Sequence, residues 1–563
     1  MIISYQDLAA GKTVGPVDVC IIGSGAGGST MAFYLAQAGY SVVVLEKGGY
    51  FPSEELGRKE VALLTRTQAM TIFTPTTGEH TRVSLIAGEC YGGGTLAAEG
   101  AAFDFPDVIK DDWEKLGLKS FSRSNPKLDT WMDELNQLLS VKPMAWEFQN
   151  RNNQLLAIAA EREGLPWEPS RRAVTYCMRC GNCTQGCRYG VKQDSAVTFL
   201  AWSREYQAQI FVGAKAEKIQ IHYAGPEDQE YRERLQKARG AAAEDLRREL
   251  EQRAKPFPAK FTVTAGVTDR KAPPPRNRPA ESKTLTVHAR QLVLAAGPLG
   301  SSRLLMQSGI NPHRVVGKRF TTHPSAFTLA RFPKKVLLRG WDGMLCSMEI
   351  HHFGDHNRDQ SYYQPERHGF LIEAALSLPW GMANMTPGVG REHLDRMQHL
   401  NYFGGCEMIT KSDAYGEITP EEVKFEMSET DNERMLFGSW IMSRLMFRVG
   451  AQEVFTGLPG LILKSPTQLD EIYKYRRGKK KGFLLKQANL YSGHIFGGCI
   501  MGKDPRQSFA DETGECHEIK GLWVADGSAF PTNTGVNCLM SITLVARKIA
   551  DDFIQKTQSS PPQ

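Results

Sequence analysis

The chain has 563 residues, 41% of them apolar and 23% charged, with a formal net charge of +6. That length predicts two or three domains rather than one core; no apolar run is long enough to span a bilayer, and no basic stripe interleaved with aromatics points to nucleic acid. Eleven cysteines, an odd number with four crowded between 177 and 187, exclude a secreted disulfide framework; the N-terminus has no basic n-region or apolar h-region, so a cytoplasmic location is expected.

In chain order, the first strong pattern is an apolar strand (19–22) running into Gly23, Gly25 and Gly28, a helix predicted over 29–38, Gly39 as its stop, and a second apolar strand (42–45) that closes on Glu46. The glycines suit a tight turn, close approach of backbone to a pyrophosphate, and close packing of helix on strand. The helix N-terminus offers free N–H groups to phosphate, and Glu46 stands where a carboxylate accepts from ribose hydroxyls. A second glycine cluster follows, Gly92, Gly93 and Gly94 before Thr95. Cys177, Cys180, Cys183 and Cys187 come next, then a strand predicted over 209–219. Between 227 and 255 lie eight acidic and eight basic residues, which read as a solvated helical hairpin. The proline-rich tract 271–279 reads as an extended linker, and the whole insertion, about 225–283, as a surface elaboration. Ordered structure returns at 285–287 and 291–297. Apolar stretches at 369–376 and 440–447 fit either a greasy pocket or ordinary core. The basic run 473–481 fits either a solvated loop or contact with anionic headgroups. The C-terminal part carries His494 in a glycine-rich loop, Asp526 and Gly527, then Asn537 before a helix predicted over 539–549.

Four ordered pieces, namely the first glycine unit, the Gly92 cluster, the segment 293–310 and roughly the last seventy residues, make the chain resemble the glucose-methanol-choline (GMC) oxidoreductases, FAD enzymes that oxidise alcohols. The resemblance implies an α/β fold: a Rossmann-like FAD-binding domain formed by 1–320 and 488–563, the latter with the catalytic residues, and a second α+β substrate domain on an antiparallel sheet, 321–487. It implies that Gly23, Gly25, Ala26, Gly28, Glu46 and Lys47 hold the ADP half of FAD, with Ala216 also at the cofactor. Gly92, Gly93, Gly94 and Thr95 match the loop along the pyrophosphate and flavin edge, and Asp526 and Gly527 the pair near the ribityl chain. His494 matches the catalytic histidine and Asn537 the second catalytic position; His323 and His517 also match the pattern and read as structural. Two positions depart from it: Ala98 stands where asparagine often lies beside the flavin, and Cys538 where proline usually follows the second catalytic residue.

Oxidising an unactivated alcohol requires removal of a hydroxyl proton and a carbinol hydride, so a base and a fixed hydrogen bond to oxygen are needed. Histidine suits the base, and asparagine holds the oxygen without competing for the proton. Within the family the segments 176–187 and 190–195 are most similar to the long-chain alcohol oxidase and cholesterol oxidase branch, which implies a hydrophobic alcohol as substrate; Glu373 resembles an acid that assists the base in sterol oxidases. Alternatives are a sugar or polyol dehydrogenase, an O2-using alcohol oxidase without a cluster, and a non-redox flavoprotein lyase or isomerase. The two-two-three spacing of Cys177, Cys180, Cys183 and Cys187 is that of iron–sulfur ferredoxins, with Arg188 in place of the usual proline. The expectation is a 4Fe–4S or 3Fe–4S cluster passing electrons to a quinone or protein acceptor, with peripheral association at the inner membrane surface as a further expectation.

Overall fold

The computed structural model describes residues 1–57, 71–222, 242, 260–270, 281–375, 378–476 and 488–559. Its first sheet has eight strands, in spatial order Ile2–Ile3, Gln209–Val212, Val42–Glu46, Lys12–Ile22, Ser282–Leu294, Phe261–Thr268 and Ala214–Ile221, with Leu522–Val524 beside Ser282–Leu294. The central strands run parallel. Val19, Cys20, Ile21, Val43 and Val44 are fully buried, as continuous apolar runs in parallel strands require. The C-terminal part thus returns to the sheet begun at the N-terminus.

The predicted strand–glycine–helix–strand unit is present, with the helix at Ala26–Gln37 rather than 29–38. Gly23 turns the chain at φ 103°, and a Cβ there would meet Ala295 O at 2.2 Å. At Gly28 a Cβ would meet Gly23 O at 2.1 Å, so helix and strand touch backbone to backbone. The predicted strand over 209–219 is two strands, Gln209–Val212 and Ala214–Ile221, broken at Gly213. Conversely, 285–287 and the first part of 291–297 belong to one strand, Ser282–Leu294, because alternating Leu285, Val287 and Ala289 continue its buried face, while Gly297 begins the next helix. The last helix extends to Ser559. Apart from residue 242, the charged segment 227–255 lies outside the described residues, as do 271–279 and the basic run from 477 onward; the insertion is not all surface, however, since Phe261–Thr268 pairs on both edges within the first sheet and buries Phe261, Val263 and Ala265 completely.

A second, ten-stranded and mostly antiparallel sheet has the order Thr71–Pro75, Val83–Gly88, Leu490–Ser492, Ser325–Arg331, Phe403–Thr410, Phe370–Ala374, Met348–Ile350 and Glu168–Pro169, with Glu453–Phe455 and Ile462–Leu463 alongside. One face, bearing Ala326, Phe370, Ile372 and Met408, packs on the helices Arg151–Glu163 and Glu429–Arg448. Ser428 and Asp431 close the latter helix with a reciprocal capping box. Ile441, Met442, Leu445 and Met446 lie in this core, so the 440–447 stretch is helix core. In 369–376, side chains alternate: Phe370, Ile372 and Ala374 join that core, while Leu371 and Glu373 point to the opposite face. Among the described residues no helix is long and apolar enough to cross a membrane.

Candidate active site

The nucleotide end is built by two glycine loops tied together. Glu46, at the end of its strand and 6% exposed, accepts from Ser24 N at 3.0 Å and Ser24 Oγ at 2.5 Å through one oxygen, and from Gly48 N at 2.7 Å through the other. Gly92 N donates to Ser24 Oγ at 3.1 Å, which brings the second loop to the first. Thr95 locks that loop, donating to Gly92 O at 2.7 Å and accepting from Ser195 N at 2.9 Å. Sequence reasoning missed Ser24 and Ser195; a serine between two motif glycines carries no pattern of its own. Gly25 caps the helix that begins at Ala26 without any side-chain bond to the free N–H groups, and a Cβ on Gly25 would meet nothing within 4 Å. Open backbone donors at a helix N-terminus are what a pyrophosphate needs. Lys47 pairs with Glu89, which also meets Arg270 at 3.3 Å. Gly93 lies close to Gly25, and Gly94 and Ala98 are exposed. Ala216 sits at a register shift in its strand pairing.

Asp526 is 5% exposed; burial pushes its carboxyl above the usual range. It accepts from Gly297 N at 2.7 Å, Ser301 Oγ at 2.9 Å and Ser528 N at 2.7 Å. It thereby joins the helix Gly297–Gln307 to the turn Gly527–Ala529. Gly527 O accepts from Gly497 N at 2.9 Å, which anchors the loop carrying His494.

At the chemical end the histidine expected to be structural has a second task. Gly535 N donates to His323 Nε2 at 2.9 Å, and His323 Nδ1 lies 3.2 Å from His494 Nδ1. Burial holds His323 well below the usual histidine value and His494 down at about 4, so both rings are neutral. A neutral His323 that accepts at Nε2 carries its proton on Nδ1 and donates it to His494. His494 therefore bears its own proton on Nε2. The same Gly535 belongs to the loop of Asn537, whose buried amide oxygen has no partner among the described residues. His323 thus couples the two loops that carry His494 and Asn537. His517, by contrast, bonds Gly502 O at 3.0 Å and Ser508 Oγ at 3.1 Å and is structural.

Cys177, Cys180, Cys183 and Cys187 are free thiols that line a single cavity of about 20 Å³ with Val174, Tyr189 and Met344. Burial pushes Cys183 up to about 11. Lys192 holds the loop to the flavin-side segment, donating to Leu96 O and Ala98 O at 2.6 Å and to Cys183 O at 3.0 Å. Among the described residues no three histidine, cysteine, aspartate or glutamate side chains stand as a ready metal-holding group, so the expected cluster site is a convergence of thiols rather than a preformed cage.

A dinucleotide cradle, an open helix N-terminus and a neutral histidine coupled to an orphaned amide define a flavin-type oxidoreductase, and the donors present fit FAD. Residues 17–325 match the N-terminal and residues 378–546 the C-terminal family model of the GMC oxidoreductases, and the chain belongs to that family. It is an FAD-dependent oxidoreductase acting on CH–OH donors. An uncharacterised GMC-type oxidoreductase of Mycobacterium tuberculosis is 28% identical over 97% of this chain and 77% of its own length. A long-chain-alcohol oxidase of Arabidopsis thaliana is 27% identical over 96% of this chain and 68% of its own. Cholesterol oxidase of Mycobacterium tuberculosis is 24% identical over 97% and 93%. Among solved structures, a variant of the formate oxidase of Aspergillus oryzae shares the fold with a TM-score of 0.67, 15% identity, and 98% and 100% of the two chains covered.

Proposed function

We propose that this enzyme oxidises the hydroxyl of a hydrophobic alcohol, long-chain or sterol-like, to the aldehyde or ketone. The observation that carries the reading is the His323–His494 pair, tied through Gly535 to the loop of Asn537, whose amide oxygen is unpartnered among the described residues. The full-length likeness to a long-chain-alcohol oxidase and a cholesterol oxidase supports the substrate class, as do Leu371 and Ile409, paired on the sheet face turned away from the helices. When bound, FAD supplies a two-electron acceptor for the carbinol hydride. In the resting tautomer His494 Nε2–H serves as a donor to the substrate oxygen, stabilising the alkoxide charge that develops there as the hydroxyl proton leaves. This modifies the sequence expectation, in which His494 itself takes the proton. Asn537 supplies the second contact to that oxygen, and its loop is held in place through Gly535 and His323.

A panel of long-chain alcohols, sterols, sugars and polyols tests the substrate class. The expected result is a kcat/KM that rises with chain length or apolar area, by up to about fourfold per added methylene. A preference for sugars contradicts it.

We further propose that Cys177, Cys180, Cys183 and Cys187 hold an iron–sulfur cluster, whose chemistry is one-electron transfer. Four thiols on one cavity, linked by Lys192 to the flavin-side segment, support this. At about 20 Å³ the cavity admits a single water-sized body, so cluster binding requires the loop to open. Iron and acid-labile sulfide in protein purified without oxygen are expected in cluster stoichiometry; absence of both, with rapid peroxide production, contradicts it.

A further inference from the structure

The sheet over the site carries a row of acids that no step above uses. Glu349 lies directly opposite Glu373, and Glu373 directly opposite Glu407. Directly opposed residues share one face, with Cβ atoms about 4.5–5.5 Å apart, and like charges there repel. This face is turned away from the two helices whose core takes Ile372 and Met408. Glu349 and Glu373 are each 1% exposed, and each has an oxygen with no partner among the described residues. Arg172 faces Glu373, but its guanidinium donates to the backbone carbonyls of Glu99, Leu345 and Cys346 rather than to the row. Burial and the facing carboxyls hold Glu373 and Glu407 toward their protonated forms, while Glu349 pairs with His351.

Both ends of the row lead somewhere. At the inner end Glu407 accepts from Tyr491 Oη, three residues before His494, and meets the Cys346 thiol at 3.9 Å. At the outer end Glu349 lies 2.5 Å from His351 Nε2, and His351 lies 3.3 Å from Glu168, whose side chain is 61% exposed. The charged and titratable groups facing the row are Glu99, Arg172, Cys346 and Tyr491 within, and His351, His356 and Glu168 at the rim.

We propose that Glu407, Glu373 and Glu349 form a proton path that carries the substrate's hydroxyl proton from the active site to solvent at His351 and Glu168. This deepens the alcohol-oxidation reading and rests on it. The balance is complete: the carbinol C–H pair leaves as hydride to FAD, the O–H pair becomes the second carbon–oxygen bond, and one proton enters the row. Each carboxyl takes a proton on one oxygen and releases one from the other, so one proton emerges at the rim for each that enters. The path also answers the tautomer of His494, whose Nε2 is already protonated and cannot receive a second proton from the substrate.

Two measurements on the holoenzyme test it. Infrared spectra in H2O and D2O, with no substrate added, are expected to show a protonated-carboxyl band that Glu373→Gln removes; no such band, or one unchanged in the variant, overturns the proposal. In rapid mixing with an alcohol and a pH-indicator dye, proton release by the wild type is expected to keep pace with flavin bleaching. In Glu373→Gln and Glu349→Gln, release should lag bleaching by about tenfold or more and recover with added imidazole as a diffusible carrier, a rescue that a merely structural defect would not show. Release in step with bleaching in both variants overturns the path. Failure of the wild-type flavin to bleach with any alcohol defeats the reading of the reaction instead, and the infrared band then decides the row by itself.

Discussion

His494 and Asn537 are the residues on which the chemistry turns, and the fold holds them by way of His323. His494→Ala is expected to keep FAD and lose about 10²–10³-fold in the rate of flavin reduction, the loss typical of removing one donor to a developing oxyanion. Asn537→Ala should be impaired in the same step, and absorbance at the flavin band reads both. Because His494 stays neutral down to about 4, the reduction rate should show no inflection at the ordinary histidine value near 6.5. A different pH signature belongs to Glu373, whose carboxyl burial and the neighbouring glutamates push well above the ordinary 4.5. The native chain then binds more protons than the unfolded one, so stability from this group falls as pH rises from 4.5 through the native value. Glu373→Gln should therefore gain in unfolding free energy over the wild type at pH 8 relative to pH 5, by about 1.4 kcal/mol for each unit of elevation removed, as read by denaturant unfolding at the two pH values. His494, Asn537 and the glycines were legible from the sequence because loop motifs fix their neighbours. The coupling by His323, and the partners Ser24 and Ser195, were not, because each depends on contacts across more than sixty residues of chain.

Among the elements, the helix Ala26–Gln37 sets the geometry of the cofactor end, and its glycines have separable roles. A Cβ on Gly27 would meet Ala525 O at 1.8 Å, a backbone contact with no room to give, whereas a Cβ on Gly25 meets nothing in the protein. Gly27→Ala is expected to destabilise the fold by about 1–3 kcal/mol, read as a lowered Tm of the FAD-free protein. Gly25→Ala should leave that Tm unchanged and weaken FAD retention on gel filtration. The strands flanking this helix were readable in the sequence because parallel, doubly buried strands leave continuous apolar runs. The central sheet was harder. Its strand Phe370–Ala374 is buried at all five positions, so the outward face is marked only by Glu373, and the meaning of that acid emerges only when register sets it against Glu349 and Glu407.

Across the whole molecule, the N- and C-terminal parts share one sheet, and the segments leading to His323 and His494 pair through Thr321–Phe496 and Thr322–Ile495. FAD bound between the two glycine loops should therefore stabilise the chain as a ligand of the native state alone, by RT ln(1 + [L]/Kd), or about 2.7 kcal/mol at a hundredfold excess over Kd; thermal unfolding at increasing FAD checks this. The central claim is that an alcohol hydroxyl is oxidised at the flavin beside His494. The direct measurement is anaerobic titration of the purified holoenzyme with a long-chain primary alcohol, following flavin absorbance and aldehyde together. The account predicts stoichiometric bleaching matched by aldehyde in the wild type, with bleaching slowed by about 10²–10³-fold in His494→Ala. Aldehyde formed while the flavin stays oxidised, or bleaching that proceeds equally fast without His494, would contradict it.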